Sequence, residues 1–252
     1  MRITVLGATG LIGRRISDQL EGWGHEVVRA HRGAQVDAYT GQGLEAAVAG
    51  SEVVVDALDL KTMSGRRATD FFTTSAQNIA QACESAAVQR IVCVSIYGAA
   101  DPAVSRFLRY YKGKAAQERT YRSSAVTSTI ILSTQWFELV EEVARRASVG
   151  PVALLPTMRL AALPADDAAG RIADAAESAA GGDRTVVIRG EHTATALDLA
   201  RGILAVKGDL AGRRPRVLRQ LPYLGPAIAG GGLIPAEADV VAAGTLEDWL
   251  RR

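Results

Sequence analysis

Cysteine is scarce in this 252-residue chain: Cys83 and Cys93 are the only two, and they stand ten positions apart. That spacing fits neither a metal-binding pattern nor a disulfide framework, so the expected setting is a reducing cytoplasm. His25, His31 and His192 are too few for a multi-histidine metal site. No apolar run approaches the roughly 20 residues of a membrane helix. The greasy stretch 221–244 is broken by Pro222, Pro226, Pro235 and Gly230-Gly231-Gly232. An excess of one charge is missing as well, because 29 basic and 27 acidic residues leave a net charge of +2. Nothing global therefore points to nucleic acid or a membrane as partner, and a small molecule is the expected one. The first residues are not read as a signal peptide, since they carry one charge, no small-residue cleavage site and an immediate glycine turn. Oligomeric state leaves no trace in the sequence.

What is present is a 48% hydrophobic chain with 25 glycines, enough to bury a full core without disulfides or metal. Basic charge is 25 Arg against 4 Lys, which reads as the base composition of a bacterial genome. Short β-branched runs at Arg2–Leu6, His25–Ala30, Glu52–Leu58, Arg90–Ser95 and Thr127–Leu132 read as buried strands. Helical spacing separates them at Leu11–Leu20, Gln42–Val48, about Asp70–Ala87 and about Ser105–Ser123. Alternation over about 130 residues predicts an α/β fold, a doubly wound parallel sheet with helices on both faces. After Gly150 the rhythm loosens around Pro151, Pro156 and Pro164, with a helix from Asp166-Asp167 reaching Ala180, a strand at Thr185–Arg189 and a helix from Thr195. The expected organisation is one compact unit, a nucleotide-binding core at 1–150 with a small substrate region at 151–252 packed on it that completes a cleft beyond the strand ends.

The most informative segment is Gly7-Ala8-Thr9-Gly10-Leu11-Ile12-Gly13, a GxxGxxG loop between a strand and a helix. Gly7 allows the tight turn, Gly10 lets the backbone approach a pyrophosphate, and Gly13 lets helix pack on strand. Free N–H groups of Thr9, Leu11 and Ile12 at the helix start face the phosphates of a dinucleotide. A strand–turn–helix unit also needs such glycines for steric reasons alone. An NAD-selective chain places an acid at the tip of the next strand; here the sequence is Val27-Val28-Arg29-Ala30-His31-Arg32. Arg32 suits a 2′-phosphate, with Arg14 in reserve, so NADP(H) is the expected cofactor. The bland alternative is a solvated loop. Asp37, at the end of a possible short third strand, contacts adenine or caps the next helix. Ala57, Leu58 and Asp59, at the tip of the strand after it, should pass the ribose or diphosphate. The polar connection 60–70, with Lys61, Arg66 and Arg67, is either a lid or a plain surface loop. Six basic residues against one acid between Arg201 and Arg219 lack interleaved aromatics and read as a solvated surface.

GATGLIG, together with Asp70-Phe71-Phe72-Thr73-Thr74, Val94-Ser95-Ile96-Tyr97-Gly98, Tyr110-Tyr111-Lys112-Gly113-Lys114 and Thr129 to Phe137, resembles the atypical short-chain dehydrogenase/reductases, in particular the NmrA-like NAD(P)H-binding proteins. The resemblance spans nearly the whole chain and is strongest to about residue 140. It implies a Rossmann core and, within a group that holds both reductases and non-catalytic redox sensors, a Tyr-x-x-x-Lys pair at Tyr110 and Lys114. Four residues apart on a helix, the two share a face, and a nearby ammonium lowers a tyrosine's pKa. The resemblance further implies Ser95 as the substrate-polarising hydroxyl, Lys114 on the nicotinamide ribose and Thr134 beside the cofactor. It departs at Phe72, where an asparagine is usual, and at Gly98 and Ala99, where the serine more often lies. Tyr97, Trp136 and Phe137 are expected to line the substrate pocket. The reading is an NADPH-dependent oxidoreductase reducing a carbonyl, quinone or activated double bond; the alternative is an NADP(H) sensor without turnover.

Overall fold

A computed structural model describes residues 1–178 and 181–251. In chain order these form β1 (Arg2–Leu6), α1 (Leu11–Gly22), β2 (Glu26–Ala30), α2 (Leu44–Val48), β3 (Val53–Asp56), α3 (Gly65–Ser85), β4 (Arg90–Ile96), α4 (Pro102–Ser105), α5 (Arg109–Arg122) and β5 (Ser128–Ser133). There follow α6 (Phe137–Arg146), β6 (Ser148–Val149), β7 (Val152–Pro156), β8 (Arg159–Leu160), α7 (Ala165–Glu177), β9 (Arg184–Gly190), β10 (Ala194–Thr195), α8 (Ala196–Lys207), β11 (Val217–Leu221), α9 (Gly225–Ala229), β12 (Val240–Ala242) and α10 (Leu246–Leu250).

Seven strands make one sheet in the order β12-β9-β5-β4-β3-β1-β2, and every pairing is parallel. Strand periodicity explains how one sheet serves two cores. Ile3, Val5, Val53, Val55, Val92, Val94 and Ile131 face α1 and α7, while Leu6, Val54, Ile91, Cys93 and Ile130 face α2, α3 and α5. A third apolar cluster joins Tyr111 and Ala115 of α5 to α6, α8 and the small sheet β11-β7-β6. The order reverses between β1, which pairs with β2 on one side and β3 on the other, so the crevice at the carboxyl ends of β1, β3 and β4 is where such sheets take ligands.

Two features differ from the sequence expectation. No strand forms at Val36-Asp37, where the sole ladder contact is an isolated antiparallel bridge from Asp37 to Gln42. The connection expected at 60–70 is half helix, because Ser64 caps α3 by accepting the Arg67 N–H. The chain also returns to the central sheet after residue 150: β9 pairs with β5, β12 with β9, and α7 packs on α1. Residues 151–252 thus contribute two strands to the central sheet. The expected helix end at Ala180 lies outside the described residues, and α7 is assigned to Glu177.

Candidate dinucleotide site

The loop after β1 is built so tightly that two of its glycines are demanded by the chain itself. Gly7 has φ +77°, and a Cβ on it would sit 2.7 Å from the Ala57 carbonyl oxygen; a Cβ on Gly13 would collide with the Gly7 carbonyl. Gly10 is different. Its backbone is extended, φ −74°, and a Cβ would meet only the Gly7 oxygen, at 3.2 Å. Gly10 and its neighbours Thr9 and Leu11 are exposed. Helix α1 begins at this open spot with no side-chain cap and no acid in its first turn. The N–H groups of Leu11, Ile12 and Gly13 therefore start a helix with neither a cap nor a carboxylate on them, which is the electrostatic form of a phosphate site.

At the tip of β2 the cations separate by role. Arg29 is taken up by Glu21 (2.8 Å) and Asp18 (2.5 Å) of α1, and Glu21's carboxyl is held below its usual range by that Arg29 hydrogen bond. Arg32 is exposed in a short 3-10 turn, Arg32–Ala34, and Arg14 is exposed on α1; neither makes an ion pair or side-chain hydrogen bond among the described residues. Asp37 caps a turn rather than a helix, with Oδ1 accepting the N–H of Tyr39 (2.9 Å) and of Thr40 (3.4 Å), while α2 starts later behind Gly43.

The structure brings Ala57–Asp59, Tyr110 and Lys114 together. Tyr110 Oη donates to Asp59 Oδ1 at 2.7 Å, so the phenol reaches from α5 to the loop that follows β3. Burial, then Asp59, pushes its pKa well above the usual value. This corrects the expectation of a phenol acidified by Lys114. Lys114 is 3% exposed, and its ammonium lies 4.5 Å from the centre of the Phe72 ring. No oxygen of the described residues accepts a hydrogen bond from it. Phe72, fully buried and edge-on to Tyr110 with ring centroids 5.5 Å apart, thus supplies the floor on which both side chains rest. Gly113 has an equally local cause, since a Cβ there would lie 2.7 Å from the backbone of Ala68 where α3 crosses α5.

Two expected site residues are buried and already hydrogen-bonded within the chain. Ser95, 2% exposed, follows Ile91 and Cys93 on the strand face toward α5, and its hydroxyl donates to Glu118 Oε1 at 2.5 Å. Burial raises the Glu118 pKa against that hydrogen bond. Thr134 is 2% exposed and gives its hydroxyl to the Ala161 carbonyl at 2.6 Å, joining β5 to the segment before α7. Asp56 escaped the sequence reading. Fully buried, it accepts from Gln117 Nε2 (2.5 Å), Tyr121 Oη (2.6 Å) and the Leu58 N–H (3.0 Å), so it clamps α5 onto the tip of β3. An acid closing the apolar run Val53-Val54-Val55 was the signal for it. Gly7, Thr9, Gly10, Leu11, Ile12 and Gly13 do converge at one place.

A family profile described as NAD(P)H-binding matches residues 7–149. The chain belongs to the NAD(P)H-binding family. No curated protein matches it. Among solved structures it is similar to an NADPH-dependent quinone oxidoreductase of Escherichia coli complexed with NADPH, at TM-score 0.72 and 17% identity over 99% of this chain and 98% of that one. It is similar to a nucleoside-diphosphate-sugar epimerase of Staphylococcus aureus, at 0.71 and 17% over the whole of both chains. A short-chain dehydrogenase/reductase superfamily protein of Agrobacterium tumefaciens with bound NAD matches at 0.67 and 16%, over 100% of this chain and 95% of that one. A Rossmann-type fold, a parallel sheet flanked by helices, is common to this chain and these structures, and the uncapped α1 and a Lys114 without an acceptor among the described residues fit a dinucleotide. Among the described residues no helix is long and apolar enough to cross a membrane.

Proposed function

We propose that the protein is an NADPH-dependent reductase of the atypical short-chain class, acting on a carbonyl, quinone or activated double bond of a small molecule. The observation that carries this reading is Lys114: a residue 3% exposed whose ammonium has no hydrogen-bond acceptor among the described residues, one helical turn from a tyrosine at the sheet's ligand end. Such a group suits the ribose hydroxyls of a nicotinamide nucleotide. When bound, that nucleotide supplies the hydride. Tyr110 supplies the proton to the oxygen of the reduced group. Its raised pKa keeps it in the donating form at neutral pH, and Lys114 offsets the phenolate left behind. The arginine at the tip of β2, with no carboxylate beside it, favours the 2′-phosphate of NADPH over NADH. The NADPH found with the Escherichia coli quinone oxidoreductase agrees with this choice, whereas the Agrobacterium tumefaciens protein holds NAD.

Titration of NADPH and NADH into wild type and Arg32→Ala tests the cofactor assignment. NADPH is expected to bind at least tenfold tighter, with the advantage lost in Arg32→Ala; equal affinities unchanged by the substitution refute it. One observation favours a second reading. With Ser95 held by Glu118, no hydroxyl of β4 polarises a substrate, which fits a redox sensor that discriminates NADPH from NADP⁺. A large affinity difference between those two forms, with no turnover on a carbonyl and quinone panel, selects the sensor.

A further inference from the structure

We propose that the outer face of the small sheet β11-β7-β6 is a docking surface for an anionic lipid bilayer. The register defines that face. Val149 pairs with Val152 and Val217 pairs with Val152, which lines up three valines across the strands; Arg219 lies beside Leu154, and Leu221 beside Pro156. The opposite side of the same strands, Ala153, Leu155 and Leu218, is buried against the core of α6 and α8. A half-exposed sheet ordinarily shows polar residues to water. This one shows Val149 at 80% exposure, Leu154 at 45%, Val217 at 39% and Leu221 at 49%, and Tyr223, 54% exposed, donates its hydroxyl to the Leu154 carbonyl at the edge.

The charge around the patch decides the occupant. Residues 209–221 hold four arginines, Arg213, Arg214, Arg216 and Arg219, against one acid, Asp209, whose carboxylate accepts the Gly212 N–H; Glu141, which accepts the Ala211 N–H, is paired with Lys207. Arg213, Arg214 and Arg216 are exposed, and their side chains make no ion pair or hydrogen bond among the described residues. A second copy on this face would set two sets of guanidiniums against each other, with Asp209 the one acid of 209–221 to offset them. An anionic headgroup layer instead pairs with the arginines while the apolar side chains enter the acyl boundary. The surface is separate from the glycine loop, so this inference stands apart from the assigned reaction.

The test is sedimentation of the full-length protein with phosphatidylcholine vesicles, with and without phosphatidylglycerol. Binding is expected only with phosphatidylglycerol, and is expected to weaken as salt rises. Arg214→Glu/Arg216→Glu and, separately, Val217→Ser/Leu221→Ser are each expected to lower partitioning about tenfold or more. NADPH affinity serves as the control for folding, and Leu154→Ser is the second apolar variant should the double one fail it. Absence of binding to the anionic vesicles at low salt overturns the proposal. So does binding that the arginine changes weaken but the apolar ones leave intact, which is adsorption of charge alone. Two further results overturn it: self-association abolished by the apolar substitutions, or capture on heparin without capture on vesicles.

Discussion

Replacing Gly113 by alanine sets two effects of opposite sign against each other. In a helix interior alanine is favoured over glycine by about 1 kcal/mol, so the substitution taken alone stabilises α5. The structure overrides that preference. The new Cβ would lie 2.7 Å from the Ala68 carbonyl carbon and oxygen and 2.8 Å from its Cβ. Carbon atoms rest at about 3.5 Å or more, so α3 and α5 must separate by roughly 0.7 Å. Overpacking of this kind costs about 1–3 kcal/mol, and backbone neighbours place it in the upper half. The net loss is therefore about 1–2 kcal/mol, which for a chain of this length lowers the melting temperature by roughly 2–8 °C. Gly170→Ala is the internal control, because it lies in α7 with nothing within 4 Å of a Cβ; its gain is the propensity term of about 1 kcal/mol. Thermal and urea unfolding of the two variants beside wild type should move in opposite directions. A Gly113→Ala protein as stable as wild type, or more so, refutes the close helix crossing on which the placement of Tyr110 and Lys114 depends.

Gly13→Ala, whose Cβ collides with the Gly7 carbonyl, should abolish NADPH binding in a titration and destabilise the fold by about 1–3 kcal/mol. Asp56→Ala leaves Gln117, Tyr121 and the Leu58 N–H without their acceptor, so chemical denaturation should report a loss of about 3 kcal/mol or more. Glu142 on α6 is held at about 2 by Arg145 first and then Arg146. A lowered carboxyl pKa contributes stability above its ordinary value of 4.5 that is lost as pH falls toward 2. Glu142→Gln should remove that part of the acid limb of an unfolding profile, within the roughly 1 kcal/mol of a partly exposed pair. Asp59→Asn removes a negative charge from the Tyr110 phenol. Ultraviolet titration against a Tyr110→Phe reference should show its pKa fall, and an unchanged value contradicts the Asp59 contact.

The parts of the site written in glycine were legible beforehand, because Gly7 takes the positive φ of a tight turn and Gly13 answers to Gly7 six residues earlier; the contact of Gly7 with Ala57, fifty residues on, was not. The strands β1, β3, β4 and β5 were legible because each is a short apolar run buried on both faces. The bond of Ser95 to Glu118 was not legible, because the strand's alternation, not its sequence neighbours, decides which face it takes, and Ile91 and Cys93 already share that face. Asp56 was hidden among valines, and its partners Gln117 and Tyr121 lie more than sixty residues on. The expected third strand failed because Asp37 spends its carboxylate on the turn at Tyr39 and Thr40. Phe72, a departure from the family pattern, became intelligible only once Lys114 and Tyr110 were seen packed on its ring. β9 and β12 join the sheet through partners far away in the chain, which no local pattern records.

The most direct test of the proposed reaction is NADPH oxidation by Tyr110→Phe, measured with the substrate that wild type reduces fastest. The phenylalanine keeps the ring against Phe72 and removes only the proton and the bond to Asp59. Loss of the general acid should slow kcat by about a hundredfold or more while NADPH affinity stays within a few-fold of wild type. Turnover at the wild-type rate contradicts the assignment of Tyr110 as proton donor.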